Sequence, residues 1–285
     1  MSAVAVNRSA RPGRELELVD ALAALRSRLA AAAEAADRKL GEIQLLPITK
    51  FFPATDVAIL SRLGCPAFGE SRDQEAAAKV DEVARLLDGS QDGPQRGDPT
   101  YPRRQWHMVG TIQRNKARSL ANWAHTAHSV SSTRVVAALE RAVTGALSEG
   151  RRADPLRIYV QLSIDGDVSR GGVDVSDTGA VDEICAQVEA AESLVLVGLM
   201  GMPPLDWDPD RAFARLQSEH HRVRRAHPDA VGLSAGMSSD LEAAVKHGST
   251  CVRVGTALLG QRPLPSPSIV TPVTSSSRTP EFPEP

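Results

Sequence analysis

Ile43-Gln44-Leu45-Leu46-Pro47-Ile48-Thr49-Lys50 is an apolar, β-prone run that ends on a lysine. Runs of the same kind recur along the chain with helical patterns between them. Strands are predicted over 43–49, 66–68, 105–109, 125–130, 156–164, 194–199, 230–233 and 250–254. Helices are predicted over 54–62, 73–87, from about 115, and over 133–149, 177–191, 208–227 and 240–246. Strands alternating with helices imply parallel pairing through right-handed crossovers. Eight such units, with polar residues gathered after the strands, predict an α/β fold: a single (β/α)8 TIM barrel with its chemistry at the C-terminal strand ends. A doubly wound open sheet is the alternative. An extra helix over about 15–39 precedes the first strand. Its Leu18, Leu22, Leu25 and Leu29 form one apolar stripe, best read as core packing.

The chain has 285 residues, enough for one barrel or two smaller domains. The barrel is expected over 14–262, flanked by disordered segments at 1–13 and over the proline- and serine-rich 263–285. Residues 88–104 carry many breakers and no periodicity, and read as a surface insertion on the face opposite the site. A net charge of −2 argues against a nucleic-acid binder, which usually shows a basic face. Cys65, Cys185 and Cys251 are odd in number and widely spaced, which makes a disulfide framework or zinc site unexpected. No apolar stretch is long enough to span a membrane and no secretory leader is evident, so a cytoplasmic location is expected.

Lys50 ends an apolar strand, where an inward lysine is costly without a purpose. Desolvation there would lower its pKa and free the amine to attack an aldehyde. The seventh and eighth strands run into Leu233-Ser234-Ala235-Gly236-Met237-Ser238 and Val252-Arg253-Val254-Gly255-Thr256. Barrels frequently bind phosphate in those two loops through backbone N–H groups, and small residues leave that backbone open. Ordinary helix capping also explains Ser238 or Ser239. Together these features suggest a phosphorylated carbonyl compound held by an amine. Arg253 alternates with Val252 and Val254 and so faces the other way. It either binds a ligand or forms a buried ion pair, with Glu70 the candidate partner. His107 is expected at the end of strand three as a wall of the site. His220-His221 reads as surface helix, since adjacent side chains point apart.

Several segments, in order, resemble the pyridoxal phosphate homeostasis protein family, also called the YggS or PROSC type. They are Thr49-Lys50-Phe51-Phe52-Pro53, Phe68-Gly69-Glu70-Ser71 with Gln74-Glu75, Trp106-His107 through Lys116, Gly198-Leu199-Met200, Leu233 through Asp240, and Gly248 through Thr256. The resemblance spans roughly residues 15 to 262. It implies a barrel of the alanine racemase N-terminal type and pyridoxal 5′-phosphate held by Lys50 as a Schiff base. It implies a cofactor site of Lys50, Ser71, His107, Met200, Ser234, Gly236, Met237, Arg253, Gly255 and Thr256. Ser234, Gly236, Gly255 and Thr256 would lie at the phosphate and Arg253 at the pyridine nitrogen. The partners implied are the cofactor and apo-forms of enzymes that use it, with monomer and homodimer both open. Four positions depart from the family pattern. Phe52 stands where a second lysine is usual, Ser71 where Asn is, Ser131 where Asp is, and Arg170 where Lys is.

Three functions follow. The first is a non-catalytic carrier or buffer of the cofactor. The second is an amino-acid racemase or related enzyme, disfavoured because neither Tyr101 nor Tyr159 is well placed as an opposite-face base. The third, independent of the resemblance, is a sugar-phosphate enzyme working through a lysine.

Overall fold

The computed structural model describes residues 12–88 and 104–261. The disordered segments expected at 1–13 and 263–285 and the insertion expected over 88–104 lie largely outside these residues. Strands β1 (Gln44–Pro47), β2 (Ala67–Glu70), β3 (Gln105–Met108), β4 (Thr126–Val130), β5 (Leu156–Ser163), β7 (Leu194–Met202), β8 (Gly232–Ser234) and β9 (Cys251–Val254) form the ring. They pair in parallel in the order β1-β9-β8-β7-β5-β4-β3-β2. The ring closes where Ile48 bridges Gly69 and the Thr49 N–H donates to the Gly69 carbonyl at 2.9 Å. The barrel, rather than the open sheet, is therefore the fold. A two-residue strand, β6 (Val173–Asp174), adds to β5 outside the ring. It was not anticipated, because two residues carry no periodicity.

Alternation along β5 shows how the sequence divides inside from outside. Leu156, Ile158, Val160 and Leu162 join the apolar layer beneath the outer helices. Arg157, Tyr159, Gln161 and Ser163 take the opposite face, toward the barrel interior. Helices α2 (Ala54–Arg62), α3 (Asp73–Asp88), α4 (Ala117–Trp123), α5 (Thr133–Ser148), α6 (Thr178–Ala190), α7 (Pro209–Ala226) and α8 (Leu241–Lys246) cover the outside. Their starts follow local chemistry. Asp208 accepts from the Arg211 N–H at 3.0 Å with Pro209 in the first turn, and Asp177 accepts from the Ala180 N–H at 3.0 Å.

Among the described residues after β9, only the four-residue α9 (Thr256–Leu259) is helical, and it is too short to cover the last strand. The first helix, α1 (Pro12–Ala35), does so instead. Its stripe of Leu18, Leu22, Leu25 and Leu29 is buried against residues of α2, α8, α9 and β9. Burying each such leucine contributes about 1.5–3 kcal/mol. Three arginines fasten it at its edges. Arg14 donates to Asp56 at 2.7 Å and to the Leu259 carbonyl at 3.0 Å. Arg28 grips Glu242 with two bonds, and Arg38 donates to the Val245 and Ser249 carbonyls.

His220 corrects the surface reading of its helix: it is buried and hydrogen-bonded to the Ala230 carbonyl at 2.9 Å. The cysteines are buried, and burial pushes the Cys65 and Cys251 thiols up to about 11. No helix among the described residues is long and apolar enough to cross a membrane.

Candidate functional site

A cavity of about 590 Å³ opens at the C-terminal ends of β1, β7, β8 and β9. That size suits a small-molecule ligand. Lys50 stands on its β1 side, Met200 and Met202 come from β7, and Met237, Ser238 and Ser239 from the loop after β8. Arg253, Gly255 and Thr256 complete the β9 side.

The backbone around Lys50 is braced from behind. Thr49 Oγ1 donates to Glu70 Oε1 at 2.7 Å, and Lys79 Nζ donates to the same oxygen at 2.6 Å and to the Thr49 carbonyl at 2.9 Å. Glu70 is therefore engaged with Lys79, which overturns the expected Glu70–Arg253 pair. Phe51, next to the lysine, holds a positive φ of 70°. A bulky residue in that region costs about 1–3 kcal/mol and persists only where its surroundings impose it. Its ring carries Arg72 at 5.3 Å and Lys50 Nζ at 6.0 Å from the centroid. Phe52, in place of the family's second lysine, is buried among the residues facing α1.

Arg253 faces inward, with Val252 and Val254 in the outer layer, as alternation requires. Its Nη1 donates to Ser234 Oγ at 2.6 Å and its Nη2 to the Gly201 carbonyl at 3.0 Å. Burial lowers its pKa, yet a guanidinium remains charged at neutral pH. Beneath it, Ser234 Oγ is 2.9 Å from His128 Nδ1, and His128 Nε2 is 2.9 Å from His107 Nδ1. Burial, followed by neighbouring positive charge, pulls the His107 pKa down to about 3 and the His128 pKa well below its ordinary value. Both imidazoles are neutral.

The loop after β8 is fixed from two sides. The Met237 N–H donates to Asp240, and Arg28 of α1 donates to the Ser238 carbonyl at 2.7 Å. Gly236 has φ 89°, and a Cβ there would fall 2.5 Å from Ala244 Cβ, so glycine is demanded by the turn and by α8. At Gly255 the protein makes no such demand, because the nearest atom to an added Cβ is 3.7 Å away. Bare backbone lining a cavity fits a ligand group that approaches it closely.

The cavity thus brings together Lys50, Met200, Met237, Arg253, Gly255 and Thr256. Ser234 and Gly236 lie buried behind it, Ser234 reaching it through Arg253. Ser71 lines a separate cleft with Gln74, Thr111 and Lys116. His107 is mid-strand, not at a strand end, and it lines a chamber at the N-terminal mouth. Residues that sequence reading passed over include His128, Lys79, Arg28 and Met202. His128 left a readable trace, since Thr126 and His128 place polar groups at period two in a short buried strand.

An amine on one side, small hydroxyl and glycine backbone groups on the other and a buried cation at the base suit a phosphorylated aldehyde. The family described as alanine racemase, N-terminal domain, matches residues 21–263. The pyridoxal phosphate homeostasis protein of Mycobacterium tuberculosis is 69% identical over 264 residues, covering 93% of this chain and 100% of the relative. PipY of Synechococcus elongatus, solved with pyridoxal phosphate bound, superposes with a TM-score of 0.68 at 28% identity, covering 85% of this chain and 100% of that one. The alanine racemase of Corynebacterium glutamicum shares the fold at a TM-score of 0.55 and 16% identity, over 84% of this chain and 60% of the racemase. The chain belongs to the alanine racemase N-terminal domain family. Within it, the chain is a member of the pyridoxal phosphate homeostasis protein family.

Proposed function

We propose that this chain binds pyridoxal 5′-phosphate and serves its homeostasis as a carrier or buffer. The observation that carries this reading is the shared cavity of Lys50, the Ser238–Ser239 and Gly255–Thr256 segments, and Arg253. When bound, the cofactor supplies an aldehyde that condenses with primary amines. Lys50 is the amine that would hold it. Backbone N–H groups of the two small-residue segments, with the Ser239 and Thr256 hydroxyls, would hold the phosphate. Arg253 is a fixed cation, and it disfavours a proton on any basic nitrogen set beside it. That would make the ring a poorer electron sink and the protein a keeper of the cofactor.

A non-catalytic role is supported by the walls of the cavity. Among its described lining residues there is no histidine, tyrosine, cysteine or carboxylate. Racemisation needs a proton removed from one face and returned to the other. Lys50 can serve one face, and Tyr159 is buried mid-barrel against His128, with ring centroids 4.5 Å apart. The proposal extends to a single functional domain over 14–262, a cytoplasmic setting and apo-enzymes as recipients. Monomer and homodimer both accommodate it.

The test is to load the protein with pyridoxal phosphate, reduce with borohydride and map the adduct by mass spectrometry. One adduct on Lys50, abolished in Lys50→Ala while the variant stays folded, is the expected result. Adducts scattered over surface lysines would sink the cofactor reading. Racemisation of alanine or serine by the loaded protein would replace the carrier with an enzyme.

A further inference from the structure

The N-terminal mouth of the barrel holds a second chamber, of about 240 Å³, at the opposite end from Lys50. Its walls are strand-borne: Gln44 of β1, Gln105 and His107 of β3, His125 beside β4, and Arg157 and Tyr159 of β5. None of its described lining residues is acidic. His107 is 3% exposed, and its Nε2, buried, has no hydrogen-bond partner. His125 stacks on it with ring centroids 6.0 Å apart.

The proton on that nitrogen is assigned by following the interior hydrogen bonds from Arg253, since the tautomer sets which ring nitrogen donates. Arginine is a donor only, so Arg253 donates to Ser234 Oγ. The Ser234 hydroxyl then has one proton to give. Cys251, close by, is a weak acceptor as a neutral thiol, so the proton goes to His128 Nδ1. Neutral His128 keeps its proton on Nε2 and donates to His107 Nδ1. Neutral His107 therefore carries its proton on Nε2. The chain of four side chains ends on a buried N–H that points to no acceptor, in a chamber whose fixed charge is the Arg157 guanidinium. A buried donor left unmet is costly, and a ligand acceptor removes that cost. The chamber exceeds the roughly 30 Å³ share of one water molecule.

We propose that this mouth is a binding site for a small carboxylate or other oxyanion, received between the His107 Nε2–H and the Arg157 guanidinium. The site is separate from the Lys50 cavity and stands independently of the cofactor reading. Charge-assisted bonds to a planar guanidinium favour a carboxylate-like shape. His125 adds a second imidazole on the same side, and Gln44 and Gln105 supply amide donors.

The experiment uses the full chain labelled with ¹⁵N in its histidines. Sodium acetate and inorganic phosphate are titrated separately while the imidazole resonances are followed, with His107 assigned through His107→Gln. The expected result is a saturable shift of the His107 Nε2 resonance. Its midpoint should rise about fivefold or more in Arg157→Ala, equivalent to about 1 kcal/mol of a partly exposed charge contact. It should be unaffected in Lys50→Ala, which reports on the other cavity. Arg157 is exposed, so its removal leaves the fold intact. No saturable shift would mean that water alone meets the N–H, and would overturn the proposal. A shift indifferent to Arg157→Ala, or one lost in Lys50→Ala, would do the same.

Discussion

The two mouths of this barrel are made by the same strands and differ in where their side chains come from. At the C-terminal mouth the lining groups lie largely past or at the strand ends, in segments held by helices: Lys50 behind Glu70 and Lys79, and Ser238 against Arg28. At the N-terminal mouth they are largely strand residues whose neighbours are other strand residues, as with His107 and Tyr159. A loop residue that packs on no helix can change with little effect on the ring. A strand residue facing inward is tied into the packing and hydrogen bonding of the whole interior. Lys50 and the small-residue segments thus sit past the strand ends, while Arg253 and the polar interior beneath it belong to the scaffold.

Substitutions can break that division. Gly236→Val tests whether the upper mouth truly rests on α8. The branched side chain must adopt φ 89° with its Cβ 2.5 Å from Ala244, and we expect a loss of about 3–4 kcal/mol in urea unfolding. A loss below about 1 kcal/mol would show that the loop relocates freely.

Acid sharpens the comparison from the other side. His107 has a folded-state pKa of about 3, below the roughly 6.5 of the unfolded chain. The unfolded state therefore binds more protons between those values. Stability is full above about pH 6.5 and falls as the pH drops toward about 3, by at most about 1.4 kcal/mol per pH unit for this one group. Burial depresses His128 and His220 in the same direction. The free energy of urea unfolding should fall between pH 7.5 and 5 by about 2 kcal/mol more in the wild type than in His107→Gln. Equal differences would remove His107 from the account.

The smallest expected effect is that of Arg28→Ala. Its pairing with Glu242 is largely exposed and worth about 1 kcal/mol or less. Its bond to the Ser238 carbonyl should matter more for the cavity than for stability. We expect a near-unchanged melting temperature with a few-fold weaker retention of pyridoxal phosphate, measured by absorbance after dialysis.

Much of this was legible beforehand. The eight ring strands and the start of α7 at Asp208-Pro209 follow from alternation and capping, which are local properties. Lys50, Gly255 and Thr256 line one cavity because strand ends in a barrel share one face. What could not be read were relations between distant strands. Nothing near His107 in sequence says that its ring meets His128, or that Ser234 joins His128 to Arg253. Arg253 was correctly read as inward, but its partner depended on which strands stand opposite, and the answer was Ser234 and the Gly201 carbonyl rather than Glu70. Ser71 entered the site only through the family resemblance, and it lines a separate cleft.

The placement of α1 has a consequence for how the chain is born. Arg14 bonds the Leu259 carbonyl across 245 positions, and the leucine stripe waits for α8, α9 and β9. A ribosome makes α1 first and its partners last. Until then Leu18, Leu22, Leu25 and Leu29 have only early elements such as α2 to cover them, and the barrel cannot shut until the final strand emerges. Long-range closure of this kind slows folding and leaves sticky surface waiting. Nascent copies should therefore lean on chaperones at α1, while the finished barrel hides that same stripe from view.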